Sequence, residues 1–201
     1  DLAFKYRTPT MVLADGIIGQ MMEKVVLPPY QPRWTEEEIR KNTPWATLGK
    51  TPNRKQNVIN SLRLEACEME KLNLLLQSRY REIEANEVLY EEFLCCDAEY
   101  IIVAFGISAR ISQKAVELAR QEGIKAGLLR PITLYPFPTE RIQSYTDKVK
   151  GFITIEMNAG QMVEDVRLAV NGKVPVEYYG RMGGIVPSPD EVLKAIKEKL
   201  M

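Results

Sequence analysis

The sequence predicts an α/β fold, a mostly parallel sheet with helices on both faces, and three observations predict it. From Tyr100 onward, short apolar runs alternate with segments of helical period. Those runs, of which Tyr100-Ile-Ile-Val-Ala-Phe105 is the clearest, are apolar throughout rather than at every second residue, the pattern of strands buried on both faces. The intervening segments also carry helix punctuation, with Gly123 where a C-cap belongs and Ser188-Pro-Asp-Glu191 as a capping box with Pro at the first helical position.

Along the chain, Thr10-Met-Val-Leu-Ala14 reads as a short strand. Ile17, Ile18, Met21, Met22, Val25 and Val26 then mark one face of a helix capped by Asp15 and stopped by Pro28-Pro29. One strand and one helix cannot bury both faces of a sheet, so residues 1–27 read as the remnant βα step of a domain whose other strands lie in further polypeptide or in a partner. Residues 28–55 hold five of the twelve prolines (Pro28, Pro29, Pro32, Pro44 and Pro52) and read as an extended connector, with a short helical turn at 36–41 opened by Thr35-Glu-Glu-Glu38. Both tryptophans, Trp34 and Trp45, fall in this connector, either docking onto another domain or packing on their own.

Residues 56–94 contain neither Pro nor Gly, and Ile59, Leu62, Ala66, Met69, Leu76, Tyr80, Ile83, Tyr90 and Leu94 recur at helical steps, which predicts one long amphipathic helix. Its sevenfold spacing resembles a coiled coil, but Glu65, Asn73 and Glu87 interrupt the seam, so the helix is expected to pack on its own domain. The acidic group of Glu82, Glu84, Glu87, Glu91 and Glu92 reads as a solvated face. Residues 95–201 form the α/β domain. Strands are expected at 100–105, 125–130, 151–156 and 174–179, and helices at 108–121, 139–145 and 161–170, with a last one from Ser188 that buries Val192, Leu193 and Ile196.

Composition narrows the chemistry. The 201 residues carry 27 Lys+Arg against 27 Asp+Glu, a balance that gives no electrostatic pull toward nucleic acid or an acidic membrane. There is no histidine, so imidazole catalysis and His-ligated zinc are excluded from what this sequence does alone. Cys67, Cys95 and Cys96 include no Cys-x-x-Cys pair, and an odd number without a disulfide framework fits a reducing cytoplasm. No apolar run approaches the ~18 residues of a membrane span, and no leader pattern opens the sequence. The first residue is Asp1 rather than Met, which reads as a piece of a longer protein.

In an open parallel sheet, ligands gather beyond the carboxyl ends of the strands. The candidates there are Gly106, Ser108 and Arg110 after the first strand, where Ser108 reads as a helix N-cap beside an anion-favouring helix terminus. Arg130 follows the second strand, Asn158 and Gln161 the third, and Arg181 the fourth. Each also has a plain structural reading as a cap, a surface ion pair or a loop residue, and neither Gly-x-Gly-x-x-Gly nor Gly-Lys-Ser/Thr is present. Glu156 could act as an acid or base, but no local second carboxylate accompanies it to form a catalytic pair.

Four ordered runs carry a resemblance. Ala104-Phe-Gly106 with Ala109-Arg110, Gly127-Leu-Leu-Arg-Pro-Ile-Thr-Leu-Tyr-Pro-Phe-Pro138, Glu156-Met-Asn-Ala-Gly-Gln-Met-Val-Glu-Asp-Val-Arg167 and Gly180-Arg-Met-Gly-Gly184 resemble the alpha subunit of the 2-oxoacid:ferredoxin oxidoreductases, and most of all the branched-chain type acting on 2-oxoisovalerate (3-methyl-2-oxobutanoate). The resemblance implies that residues 1–27 end a thiamine-pyrimidine-binding domain and that 95–201 are similar to the transketolase C-terminal domain. It implies oxidative decarboxylation of a 2-oxoacid with coenzyme A, giving acyl-CoA, carbon dioxide and reduced ferredoxin. Thiamine diphosphate with Mg and iron–sulfur clusters would serve the whole complex, none of them held by this segment, with beta and gamma/delta subunits as partners. No catalytic residue carries over, because the activating carboxylate belongs to sequence not present here. A 2-oxoglutarate or pyruvate type, or a non-catalytic anion-binding or assembly module, are the alternatives.

Overall fold

The computed structural model describes residues 1–30, 34–46, 49, 52–53 and 55–201. Residues 1–21 with 77–201 form one compact unit and residues 22–76 a second. In chain order the elements are α1 (Leu2–Tyr6), α2 (Gly16–Gln20), α3 (Glu36–Asn42), α4 (Ala66–Asn86), β1 (Tyr90–Phe93), β2 (Tyr100–Val103), α5 (Gly106–Gln121), β3 (Ala126–Pro131), α6 (Thr139–Gln143), β4 (Gly151–Glu156), α7 (Met162–Val170), β5 (Val176–Gly180) and α8 (Pro189–Leu200).

The first unit is built on a five-stranded sheet of order β1-β3-β2-β4-β5. Strands β2 to β5 are mutually parallel, with Ile102 beside Leu128 on one side and Ile153 on the other, and β1 joins β3 antiparallel. The unbroken apolar runs have the expected cause: successive residues bury on opposite faces. Ile102, Leu128, Ile153 and Ile155 pack with Ala115, Val116 and Ala119 of α5 and with Val192 and Ile196 of α8. Ile101, Val103, Leu129 and Phe152 pack on the other face with Ile142 of α6 and Val166 and Val170 of α7. Helices therefore cover both faces, as the sequence predicts. Helix α8 opens with the Ser188/Glu191 capping box, and Gly123 takes φ +81 just past α5.

Three expectations are corrected. Residues 10–14 form no strand: Met11, Val12 and Leu13 are exposed, and a strand without a paired neighbour has nothing to satisfy its backbone. The helix after Asp15 ends at Gln20 rather than running to 26, because Met21 turns to an extended backbone (ψ 139). The long helix expected over 56–94 is α4 alone, 21 residues from Ala66 to Asn86. Upstream, Val58, Ile59 and Leu62 are exposed on non-helical backbone, since an apolar stripe that is not buried does little to hold a helix. Downstream, Leu89 is drawn onto the sheet: its N–H donates to Thr133 Oγ1 (3.0 Å), and its carbonyl accepts from Ile132 N–H (2.9 Å). Residues 90–93 then continue as the edge strand β1.

In the second unit, α3 carries the Thr35/Glu38 capping box expected at 36–41. Trp34 is exposed and Trp45 half-buried. Of the expected connector, residues 31–33, 47, 48, 50, 51 and 54, Pro32 among them, lie outside the described residues.

Candidate functional site

At the end of β2 the backbone turns through Phe105, the observed N-cap of α5, into Gly106 at φ +61. Ser108 is not the cap. It is the third residue of the helix and is 4 % exposed, so it packs inward. The helix terminus is closed instead by a carboxylate from 92 residues earlier: Asp15 Oδ2 accepts the Ile107 N–H at 2.9 Å. The other oxygen of Asp15 accepts the Ile18 N–H at 2.8 Å, capping α2 as the sequence predicts. A Cβ on residue 106 would stand 2.6 Å from Asp15 Oδ2, so glycine is required both for the positive φ and for the carboxylate to approach. The anion that this helix terminus favours is supplied by the chain itself.

Arg110, on the next turn of α5, and Arg130, near the end of β3, are brought together by the fold. Both line a cleft of about 310 Å³ with Glu91, Glu92, Phe93, Ala109, Gln113 and Leu128. Arg130 Nε lies 3.4 Å from a Glu91 carboxylate oxygen, and Arg110 Nη1 lies 3.9 Å from Met21 Sδ. Two guanidinium groups thus share this cleft with the Glu91 carboxylate, while the carboxylate of Glu92 is held by Arg141 and Tyr145. The acidic residues read from sequence as a solvated face include two, Glu91 and Glu92, that β1 places in this wall. Only the recognition of β1 as a strand could have revealed that.

At the end of β4, Glu156 is 2 % exposed and its carboxylate receives three backbone N–H groups, Gln161 and Met162 on Oε2 (3.0 and 2.9 Å) and Val163 on Oε1 (3.0 Å). It is the cap of α7, and the acid–base role open to it in sequence is replaced by this structural one. Asn158 and Gln161 belong to the same turn: Asn158 Oδ1 accepts the Gly160 N–H at 2.7 Å, and its carbonyl accepts the Tyr178 hydroxyl. A Cβ on Gly180 would collide with that hydroxyl and come 2.6 Å from the Asn158 carbonyl oxygen. Burial raises the Asp165 carboxyl above the usual carboxylate range, with Glu156 nearby adding to the rise. Arg181 leaves β5 and pairs with Glu191, whose carboxyl is held low first by the Ser188 N–H and then by this guanidinium.

The candidate residues therefore occupy separate places: Gly106 and Ser108 under Asp15, Arg110 with Arg130 in the cleft, Asn158 with Gln161 on the α7 cap, and Arg181 on the α8 cap. Cys95 is buried, and Cys67 and Cys96 are exposed. Among the described residues no group of three or more Cys, Asp or Glu is placed to hold a metal ion. None of the described helices is long and apolar enough to cross a membrane.

Fold and site together define a three-layer α/β domain that satisfies its own strand-end helices with its own carboxylates. Residues 98–192 match the pyruvate:ferredoxin oxidoreductase core domain II family. The chain is 46 % identical over 200 residues to the ketoisovalerate oxidoreductase subunit VorB of Methanothermobacter thermautotrophicus, covering 98 % of this chain and 54 % of that protein. It is 29 % identical over 184 residues to the 2-oxoglutarate synthase subunit KorA of Archaeoglobus fulgidus, covering 90 % of this chain and 51 % of that protein. A 2-oxoglutarate:ferredoxin oxidoreductase from Magnetococcus marinus, solved with 2-oxoglutarate, coenzyme A and succinyl-CoA bound, shares the fold at TM-score 0.56 and 17 % identity over 69 % of this chain and 24 % of its own. The chain belongs to the 2-oxoacid:ferredoxin oxidoreductase family. It spans about half the length of the curated relatives it matches.

Proposed function

We propose that the chain is part of a subunit of a 2-oxoacid:ferredoxin oxidoreductase of the branched-chain type, taking 2-oxoisovalerate. The balanced reaction is 2-oxoacid plus CoA thiol to acyl-CoA, carbon dioxide and one proton, with two electrons passed to ferredoxin. The observation that carries this reading is the 46 % identity over 98 % of the chain, which extends well beyond the matched domain into residues 1–97. The 2-oxoglutarate alternative is favoured less, since the KorA relative named above stands at 29 % identity. In this reading the α/β domain contributes subunit contacts and helps shape a shared site, beside beta and gamma/delta subunits and in the cytoplasm.

Thiamine diphosphate with Mg and the iron–sulfur clusters belong, in this reading, to other parts of the complex. The residues here do not fit a diphosphate. The N-termini of α5 and α7 already hold the Asp15 and Glu156 carboxylates, which would repel it, and Arg130 already lies beside the Glu91 carboxylate in the cleft it shares with Arg110. No step of the reaction is therefore assigned to this chain's own side chains.

The test is CoA-dependent viologen reduction by the full-length subunit assembled with its partner subunits. Turnover with 2-oxoisovalerate at a kcat/KM at least about tenfold above that with 2-oxoglutarate or pyruvate is expected, the discrimination that one side-chain pocket supplies. Preference for 2-oxoglutarate or pyruvate would overturn the branched-chain assignment, and no turnover on any 2-oxoacid would overturn the enzymatic reading. Calorimetry of the chain against phosphate and CoA tests the binding-module alternative, for which affinity without turnover in the assembled complex is the signature.

A further inference from the structure

The segment around α2 is held in an unusual way. No residue of α2 is buried, and Met11, Val12 and Leu13 before it are exposed, so apolar burial does little to fix this stretch. The apolar part of its join to the α/β domain is slight, Ile18 lying beside Gly106, and the hydrogen bonds converge on one side chain. Asp15 bridges the first turns of two helices, the Ile18 N–H of its own and the Ile107 N–H of α5. Gly106 leaves the space the carboxylate fills, and on the next turn Arg110 meets Met21, the residue that ends α2. The segment thus lies as a strap across the start of α5, beside the Arg110 wall of the cleft.

We infer that Asp15 is the clasp of a strap formed by residues 8–21, and that seating or releasing this one carboxylate closes or opens the α5 terminus and the Arg110 side of the cleft. Release removes the cap of α2 and the partner of the Ile107 N–H in the same step, so the two ends loosen together. The sheet is not involved, because its core packs against other faces of the helices. This inference is independent of the enzymatic assignment.

Hydrogen exchange read by mass spectrometry on the whole chain tests it. In Asp15→Ala, exchange at residues 16–21 and at the first turn of α5 is expected to rise about tenfold or more, the scale of losing charge-assisted hydrogen bonds, while β2 and β4 keep their protection. Asp15→Asn gives a smaller rise, since its amide nitrogen donates and cannot accept, leaving one acceptor for two N–H groups. Gly106→Ala loosens residues 16–21 in the parent chain but adds nothing there once Asp15 is already Ala, which separates the clasp from the strain that any side chain meets at a positive φ. Labelling of Arg110 by an arginine-specific dicarbonyl accelerates in step with exchange at 16–21. Unchanged exchange at Ile107 in Asp15→Ala overturns the inference. So does a uniform loss of protection reaching β2 and β4, which would make Asp15 a support of the whole fold rather than a clasp.

Discussion

Cys95 lies at the corner between β1 and β2, 3 % exposed, with its Sγ donating to the Leu128 carbonyl at 3.2 Å. Burial, and after it the negative charge of nearby Glu92, pushes its thiol up to about 12. The thiolate is the reactive species, so at pH 8 only about one molecule in ten thousand carries it at this position. Cys67 and Cys96 are exposed. Iodoacetamide at pH 8 is accordingly expected to modify Cys67 and Cys96 in the native chain and Cys95 only after denaturation, read by intact mass and peptide mapping. Rapid native labelling of Cys95 would show that the β1–β2 corner opens. Single residues also mark where sequence reading stops. Asp15 was legible as the cap of α2, because the aspartate directly precedes the helix. Its second bond, to Ile107, was not, because nothing local in sequence reports a contact 92 residues away. Glu156 is the reverse case: its place at a strand end was legible, but only the path of residues 161–163 shows that its carboxylate is consumed by backbone N–H groups.

Strand β1 is the element that sequence periodicity assigned to the wrong structure, and its anchoring explains why. Nothing in residues 87–94 breaks a helix. The switch is made by distant partners: Lys5 and Tyr6 on Glu87, Thr133 on Leu89, and a network around Glu92. In that network Arg141 of α6 grips the Glu92 carboxylate through Nε and Nη2 (2.5 and 2.8 Å), and the Tyr145 hydroxyl donates to it at 3.0 Å. The guanidinium first, with the hydroxyl's smaller help, holds the Glu92 carboxyl below the usual range against the opposing effect of burial. A depressed carboxyl contributes stability that is complete above its unfolded value, roughly 4.3, and is lost as pH falls through the lower folded value. Glu92→Gln is therefore expected to lower the melting temperature at pH 7 by about 3 °C, corresponding to about 1 kcal/mol for a bidentate pair still partly open to solvent. The gap to the parent should narrow as pH drops below about 4. A constant gap from pH 7 to pH 3, measured by calorimetry, would mean that Glu92 acts through packing and not through its charge. By contrast β2, β4, α5, α7 and α8 were legible in advance, because burial on both faces of the sheet, and for α8 a local capping box, write them into adjacent residues.

At the scale of the whole chain, buried apolar residues are distributed very unevenly. The core lies almost wholly in residues 95–201, in two layers that flank one sheet. Between residues 22 and 76 the one described residue that is buried is Thr43, while Met22 is 99 % exposed and Val25, Val26, Leu27, Tyr30, Val58, Ile59, Leu62 and Leu64 are exposed as well. Composition could not show this, because an apolar fraction of 45 % averages a dense core with a stretch whose apolar residues face outward. Local stability follows buried contacts, so the two regions should open with very different free energies. Hydrogen exchange of the chain on its own is expected to be complete within seconds over residues 22–30 and 55–64, against hours for Ile101–Val103 and Phe152–Ile155, where both strand neighbours and both faces are covered. Trypsin should then cut first after Lys24, Lys55 or Arg63, leaving a resistant product that contains residues 95–201. Protection of residues 55–64 comparable to that of β4 would contradict this, and would place a helix, and a cover for its apolar stripe, where Val58, Ile59 and Leu62 now stand exposed.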